Sequence, residues 1–350
     1  MKIEFIVSKW ANFLWFIDSI SGHDECWHIY HTFWLKKIKK LTTQEQRAVR
    51  DYRKITGQLK NAKLMRNFMA IFCECDNWSD ISQKLKSFLN DSQIRLLKGI
   101  FDIFKERFEK IWLKYQIKLK SNWVILVKSL NKIQPKLKKY FNHLGKFYGV
   151  TYSNELEIPY IKTPLKVFLM MSPLENYSSG RSIGRNIIWL ILSDIRKEPK
   201  SEMDGNWWLF LHESIHSLFE TTKYKNEIKK YVNKQKKLSH LLSHKLSISE
   251  LIKECIITCL LMVLNNQFGL IHKHNKLQDI NMKYLKKCIK RDRKVLFNLN
   301  FIKRYTALKL QDLTKNYIKF SQTINKKFID SIWNVLQNYP KNLLEDIKAD

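Results

Sequence analysis

Apolar residues recur at helical spacing along most of the first 150 residues. The clearest stretch, SQIRLLKGIFDIFKERFEKIWL, places an apolar side chain at every third or fourth position and so forms one stripe. The stripe consists of Ile94, Leu97, Phe101, Phe104, Phe108 and Ile111. Shorter stretches of the same kind lie before and after it, and Gly145 and Gly149 mark an exit. The pattern predicts a helical amino-terminal region over residues 1–150.

The pattern becomes strand-like after Thr151. Val167–Met171 and Ile187–Leu192 are short apolar runs bounded by turn residues, which predicts buried strands within about 165–194. A loop containing Gly180 and Gly184 joins them, which indicates either a hairpin or neighbouring strands of one sheet. We therefore assign residues 151–350 to a second region.

Helical spacing returns after the strands. It predicts an amphipathic helix at about 206–221, a strongly apolar helix at about 247–265, and a last long helix with apolar residues in register from Leu313 to Val335. The predicted fold class is α+β and predominantly α-helical. A small sheet would pack on the 206–221 helix, with helical regions at both ends of the chain.

The composition is that of a globular protein with a large positive charge. The net charge is +31, but the lysines are spread along the chain, and no nucleic-acid-binding motif accompanies them. We interpret most of this charge as solvated lysine faces, with nucleic acid kept as an alternative partner.

Cysteine usage and hydropathy bear on location. The chain has 6 cysteines, too few for a disulfide scaffold in a chain of 350 residues, which indicates reduced thiols. The longest apolar run, around 255–264, is about ten residues, short of the roughly 20 that a membrane helix needs. These features predict a soluble, cytoplasmic protein without a membrane span.

The stretch LHESIHSLFE contains the chain's most specific chemical pattern. His212 and His216 are one helical turn apart, so both imidazoles project on the same side and converge on one Zn²⁺ ion. Glu213 is not a ligand in this pattern; it is the base that takes a proton from the water that zinc makes acidic. The alternative is an accidental match, but this helix is amphipathic, follows two apolar strands, and is flanked by Trp and Phe.

The HESIH pentapeptide resembles the signature of the zincin metallopeptidases. This resemblance covers roughly residues 165–265 and is specific only at the motif. It implies a zinc-dependent hydrolase of peptide bonds, acting on a peptide or protein substrate. It also implies an active-site helix beneath a small sheet whose edge strand aligns the substrate.

A catalytic zinc needs a third protein ligand. The metzincin branch would have Gly and His where this chain has Phe219 and Thr222, so that branch is excluded. The gluzincin branch takes a glutamate from a later helix, often with an acidic residue four positions on. Glu250 and Glu254 match this pattern. By analogy Glu250 would bind zinc and Glu254 would orient a histidine, although the two roles could be exchanged.

The wheel of the 247–265 helix supports a buried role for these carboxylates. Two apolar faces predict a helix buried nearly all round, with both glutamates on one of those faces. A buried carboxylate needs a partner, which zinc or a ligand histidine would supply. The alternative is that both pair with nearby lysines such as Lys253.

Weaker candidates complete the site. Glu220 is a possible ligand one turn beyond His216, and His272, His274 or Tyr284 could stabilise the oxyanion.

Two other functions compete with the peptidase. One is a basic helical nucleic-acid-binding protein with a structural or vestigial metal site. The other is a degenerate zincin used as a binding module, against which the intact Glu213 counts because a dead site has no need of the base.

Overall fold

The computed structural model confirms a predominantly helical α+β fold with a small mixed sheet. It describes residues 2–22, 28–59, 62–149, 164–175, 178–184, 186–196, 200–219, 228, 230, 247–269, 282–291, 296 and 298–349.

The chain divides into two compact units. The first comprises Met1–Lys132 with Pro159–Pro199, and the second comprises Ile133–Ile158 with Lys200–Asp350. The boundary predicted from the sequence lies at residue 150, whereas these units group the predicted strands with the amino-terminal helices. The reason is an additional strand at the amino terminus, which pairs with the first of the predicted strands.

Six helices of the described residues begin within the first unit. They are α1 (Lys9–Ser21), α2 (His28–Ile38), α3 (Thr43–Gly57), α4 (Ala62–Glu74), α5 (Trp78–Leu85) and α6 (Asp91–Phe147). Local signals define several ends: the Ser8 hydroxyl accepts a hydrogen bond from Ala11 N, and Gly22 closes α1 in the left-handed region at φ 60°. Thr42 and Glu45 form a capping box at the start of α3.

Helix α6 is longer than predicted. The sequence predicts separate helices over this stretch, but one helix of 57 residues runs through it with Pro135 inside. The predicted stripe is confirmed for Ile94, Leu97, Phe101, Phe104 and Phe108, which are buried, while Ile111 is half-buried.

The sheet has four strands in the order β1-β2-β4-β3. They are β1 (Ile3–Ile6), β2 (Leu165–Met171), β3 (Ser179–Ser182) and β4 (Ile187–Leu192). The two predicted strands are neighbours, as expected, but they run parallel, with Lys166 opposite Ile187, so they do not form a hairpin. The predicted Gly/Ser loop instead supplies β3, which pairs antiparallel with β4 on its other side. Every residue of β4 is buried, which explains its unbroken apolar run.

Side chains of α1 complete the edge of β2 beyond the end of β1. Asn12 Nδ2 donates to Leu169 O at 3.0 Å, and Asn12 Oδ1 accepts from Met171 N at 2.8 Å. Trp15 Nε1 donates to Met171 O at 2.7 Å. These buried bonds replace the strand partner that β1, with four residues, is too short to provide.

The regular elements among the described residues of the second unit are all helices. Besides the end of α6 it contains α7 (Lys200–Phe219), α8 (Ile248–Phe268), α9 (Met282–Arg291), α10 (Leu299–Lys309), α11 (Gln311–Lys319), α12 (Lys326–Gln337) and α13 (Lys341–Ala349). The apolar helix α8 is buried along most of its length, as predicted, and it packs against α7, α10, α11 and α12.

The prediction of one long carboxy-terminal helix is wrong. The chain leaves α11 after Lys319, passes through Ser321 at φ 51°, and starts α12 after the cap Asn325, whose side chain accepts from Phe328 N. Between the two helices Ile324 N donates to Phe147 O at 2.7 Å. The apolar register continues across the break, so periodicity alone did not reveal it.

The remaining fold predictions concern membrane-spanning helices and the packing of the sheet on α7. Among the helices of the described ranges, none is both long and apolar enough to cross a bilayer. The packing of the sheet on α7, which the zincin resemblance implies, stays a prediction, because these elements belong to different units.

Candidate metal centre

Helix α7 brings the two motif histidines together. It extends over Lys200–Phe219, beginning six residues before the predicted start, and its buried stripe contains Leu211, Ile215 and Phe219. His212 and His216 lie beside this stripe, one turn apart. Their Nε2 atoms are 3.0 Å from each other and their ring centroids 4.7 Å apart. The expectation that both imidazoles face the same point is confirmed.

Helix α8 supplies the third donor, Glu254. The helix starts at the cap Ser247, whose hydroxyl accepts from Glu250 N, so Glu254 lies one turn further along a buried rod. Glu254 Oε1 is 2.9 Å from His216 Nε2, and Glu254 Oε2 is 3.6 Å from His212 Nε2. Donor atoms of the three residues all lie within 4.8 Å of one another.

Glu250 has a different environment. Its side chain is 53% exposed and lies 3.6 Å from Lys253 Nζ, whereas that of Glu254 is 15% exposed. The sequence favours Glu250 as the ligand, but the structure brings Glu254, not Glu250, to the histidines. The two carboxylates share one face of α8, but they differ in height along the helix axis, which a helical wheel does not give. This difference separates the exposed side chain of Glu250 from the largely buried side chain of Glu254.

Lys303, on α10, is a site residue that the sequence analysis missed. Its Nζ lies 3.0 Å from Glu254 Oε2, and its side chain is as buried as those of the three donors. No spacing rule pointed to it, since it is one of 63 lysines and arginines. The only signal is its position in a helix whose neighbouring residues Phe301, Ile302 and Tyr305 are apolar and buried.

The electrostatics keep Glu254 charged. Burial alone would raise the pKa of Glu254, but the hydrogen bond from His216 and the nearby positive charges, including Lys303, hold that pKa well below its usual range. The carboxylate is therefore ionised at neutral pH.

The same surroundings keep His212 neutral. Burial lowers the pKa of His212 well below its usual range, and His216 and Lys303 add to this effect, while Glu254 opposes it. A neutral imidazole and an ionised carboxylate are the forms that bind metal ions.

The spacing of the three donors matches what zinc requires. Four ligand atoms at about 2.0–2.2 Å from a tetrahedral zinc ion are roughly 3.3–3.6 Å from each other. The observed separations of 3.0, 2.9 and 3.6 Å are close to these values. Two imidazoles and one carboxylate are also a donor set that zinc favours. The residues present therefore fit the ion.

The sequence predicts five further site residues: Glu213, Glu220, His272, His274 and Tyr284. Glu213 is 7% exposed on α7 and is not among the three residues whose donor atoms converge. Tyr284 lies half-buried on α9. Glu220, His272 and His274 lie outside the described residues.

No family model, curated protein or solved structure matches this chain. The resemblance to zincins therefore depends on the residues of this chain and on their geometry.

Proposed function

We propose that this protein is a zinc-dependent metallopeptidase in which His212, His216 and Glu254 hold the ion. The observation that carries the proposal is the convergence of these donors, which come from two separate helices and are spaced as a tetrahedral zinc requires. This assignment follows the gluzincin arrangement with the roles of the two glutamates exchanged.

Three protein ligands favour a catalytic over a structural centre. Structural zinc sites are closed by four protein ligands, whereas catalytic sites with three keep a position for water or substrate. Within the described ranges the group consists of three residues. Bound zinc would supply a Lewis acid that polarises a peptide carbonyl and makes water acidic.

Glu213 is the general base in this proposal. It follows the ligand His212 on the same helix, so both are fixed by one rigid backbone. Its side chain is 7% exposed, so bulk solvent has little access to it. Glu213 would accept a proton from water as it attacks the carbonyl and pass it to the leaving amine.

Lys303 supports the ligand carboxylate. Its ammonium donates to Oε2 of Glu254, which leaves Oε1, the atom nearest His216, for the ion. Such hydrogen bonds orient ligands and fix which oxygen binds. The substrate class, a peptide or protein, and the cytoplasmic location are part of this proposal and come from the sequence resemblance and the cysteine usage.

Zinc content of the purified full-length chain tests the proposal. We expect about one zinc ion per chain, lost on Glu254→Gln and kept on Glu250→Gln. The second variant makes the same chemical change one turn away at an exposed side chain, so it controls for the loss of charge. If Glu254→Gln kept its zinc and Glu250→Gln lost it, Glu250 rather than Glu254 would be the ligand.

Activity is tested separately from metal binding. Glu213→Gln should keep its zinc but lose hydrolytic activity, because the substitution removes the base and no ligand. The substrate for this assay is an unfolded protein labelled with a quenched fluorophore. A folded wild-type chain that takes up no zinc would end the peptidase proposal.

A nucleic-acid-binding protein would be recognised by its response to salt and to loss of His212. Binding through phosphate contacts weakens steeply as salt rises and would be unaffected by His212→Ala. Salt-sensitive binding of this kind, in a chain without detectable hydrolysis, would favour that alternative.

A further inference from the structure

A small polar cavity lies at the carboxyl ends of β2 and β4, entirely within the first unit. It has a volume of about 60 Å³, and its walls include the residues that directly follow the two strands, Ser172–Glu175 and Ser193–Asp194. In sheets with parallel strands, this edge is where ligands commonly bind. None of the residues of the metal centre contributes to it.

The walls of the cavity are held in place by buried hydrogen bonds. After β4, Asn122 Nδ2 donates to Ser193 O at 2.8 Å and Asn122 Oδ1 accepts from Ile195 N at 3.2 Å. After β2, the Ser172 hydroxyl accepts from Leu174 N at 3.1 Å. Asn122 is 1% exposed, so this support is rigid and the cavity is preorganised.

Two lysines from different helices converge on one tyrosine in this cavity. Lys37 of α2 and Lys118 of α6 lie 5.0 and 5.4 Å from the centroid of the Tyr115 ring. Lys37 Nζ also donates to the Tyr115 hydroxyl at 2.5 Å. In the part of the chain that the structure describes, neither ammonium forms an ion pair with a carboxylate. Both lysines therefore line the cavity without a carboxylate partner at ion-pair distance among the described residues.

Tyr115 contributes a third donor. Tyr115 is 6% exposed, and because its oxygen accepts from Lys37, its hydroxyl proton is left to be donated elsewhere. The described residues provide no acceptor for that proton. Burial raises the pKa of Tyr115 to about 12, so the proton is present at neutral pH.

The acidic residues of the wall do not cancel this charge. Asp194 is bound by Arg196 through two contacts, Nε to Oδ1 at 2.8 Å and Nη2 to Oδ2 at 2.6 Å. Glu175 is exposed and lies beyond ion-pair distance of Lys37, although its charge acts on both Lys37 and Tyr115. Arg196 therefore neutralises Asp194, which leaves the charges of Lys37 and Lys118 opposed in this cavity by the exposed Glu175.

We propose that this cavity binds a phosphate dianion, either free or as a monoester, through Lys37, Tyr115 and Lys118. A dianion matches two ammonium groups in charge, and its oxygens accept from all three donors. A water molecule needs about 10–15 Å³ of such a volume. The cavity, at about 60 Å³, can therefore hold one tetrahedral oxyanion but not a whole nucleotide.

Titration of the full-length protein with inorganic phosphate tests the proposal. Calorimetry and ³¹P line broadening at constant ionic strength should show one saturable site. Lys37→Met and Lys118→Met should each weaken binding about tenfold or more, as expected for a lost charge-assisted hydrogen bond. Tyr115→Phe, which keeps the ring, should weaken it less, and Glu175→Gln should strengthen it.

Matched controls separate a site from general attraction to a basic protein. Lys36→Met and Lys120→Met remove one charge each from the same two helices, at exposed positions outside the cavity. They should change phosphate affinity less than twofold. Equal weakening by these controls, or no saturable binding by a wild-type chain with an unchanged circular dichroism spectrum, would overturn the proposal.

Two further ligands identify the source of the phosphate. Glycerol phosphate binding at least as tightly as inorganic phosphate would assign the site to a monoester, while exclusive binding of inorganic phosphate would assign it to the free ion. Acetate, a monoanion, should bind at least tenfold more weakly; equal affinity for acetate would contradict the dianion.

Discussion

Lys303 Nζ lies 3.0 Å from Glu254 Oε2, on the same carboxylate whose other oxygen lies 2.9 Å from His216 Nε2. An ammonium so close to a candidate zinc ligand has two opposing effects. It stabilises the ionised carboxylate when no metal is bound, and it repels a divalent cation at that carboxylate. Lys303, from a third helix, α10, thus contributes to the charges of this candidate metal centre together with the hydrogen bond from His216.

We predict that Lys303→Met raises zinc affinity and lowers the stability of the zinc-free protein. Removal of the ammonium relieves its repulsion of the ion, for which we expect about a tenfold gain in affinity, or about 1.4 kcal/mol. Without metal, Glu254 loses a charged hydrogen bond, which costs about 1–3 kcal/mol. Competition with a zinc chelator and urea unfolding measure the two effects.

Lys303→Arg is the control, because it retains the charge and should leave zinc affinity near that of the wild type. Weaker zinc binding in Lys303→Met would contradict the electrostatic argument and show that orientation of the carboxylate dominates.

The ion pair between Glu45 and Arg107 predicts a pH-dependent stability of the first unit. Burial alone would raise the pKa of Glu45, but hydrogen bonds from Arg107, at 2.5 and 2.8 Å, and from Thr42 N lower it overall. Since the folded-state pKa lies below the unfolded value of about 4.3, the stabilisation is complete above that value and is lost as pH falls through the folded-state pKa.

Glu45→Gln should therefore destabilise the protein at neutral pH by about 1–3 kcal/mol, with a difference from wild type that shrinks in acid. Urea unfolding at a series of pH values measures this. Glu106→Gln, at a carboxylate that is 83% exposed and paired with Lys110 in solvent, should show a much smaller trend. A difference that stays constant down to about pH 3 would show that the charge of Glu45 is not its source.

Asn12 should be indispensable for the edge of β2. Asn12→Leu leaves Met171 N and Leu169 O without their buried partners, and each unsatisfied group costs about 1–3 kcal/mol. We expect a loss of roughly 2–5 kcal/mol in the free energy of unfolding by urea. The same substitution at the exposed Asn316 is the control, and similar losses at both sites would contradict the role of Asn12.

Among the described cysteines, Cys288 should be the main one whose thiol reacts in the native protein. Burial raises the pKa of Cys73 and of Cys255 to about 12 and also raises that of Cys259, so these thiols are neither accessible nor ionised. Cys288 is partly exposed. Iodoacetamide labelling followed by peptide mass spectrometry should find Cys288 modified first; prior modification of Cys255 or Cys259 would show that α8 opens readily.

Elements with a strong repeating pattern could be predicted from the sequence. The α6 stripe, the buried strands β2 and β4, and the apolar helix α8 all follow from spacing or from unbroken apolar runs. Strand β1 could not be recognised, because its four residues form a strand only through pairing with β2. The same holds for β3, whose composition is that of a loop and whose partner is β4.

The candidate metal centre shows the same limit at the level of side chains. The spacing of His212 and His216 fixes their common direction, because both lie on one helix. The choice between Glu250 and Glu254 depends on how far α8 is shifted along its axis against α7, which is a property of packing. Lys303 comes from a third helix and carries no motif, so only the three-dimensional structure relates it to the site.

The short reach of β1 has a consequence for self-association. An exposed strand edge can pair with a strand from another polypeptide. Where β1 ends before β2 does, an uncovered edge of β2 would be such a site. Here Asn12 and Trp15 occupy the hydrogen-bonding groups of β2 where β1 stops. Strand invasion of this described sheet is therefore confined to the outer sides of β1 and β3, each of which is only 4 residues long.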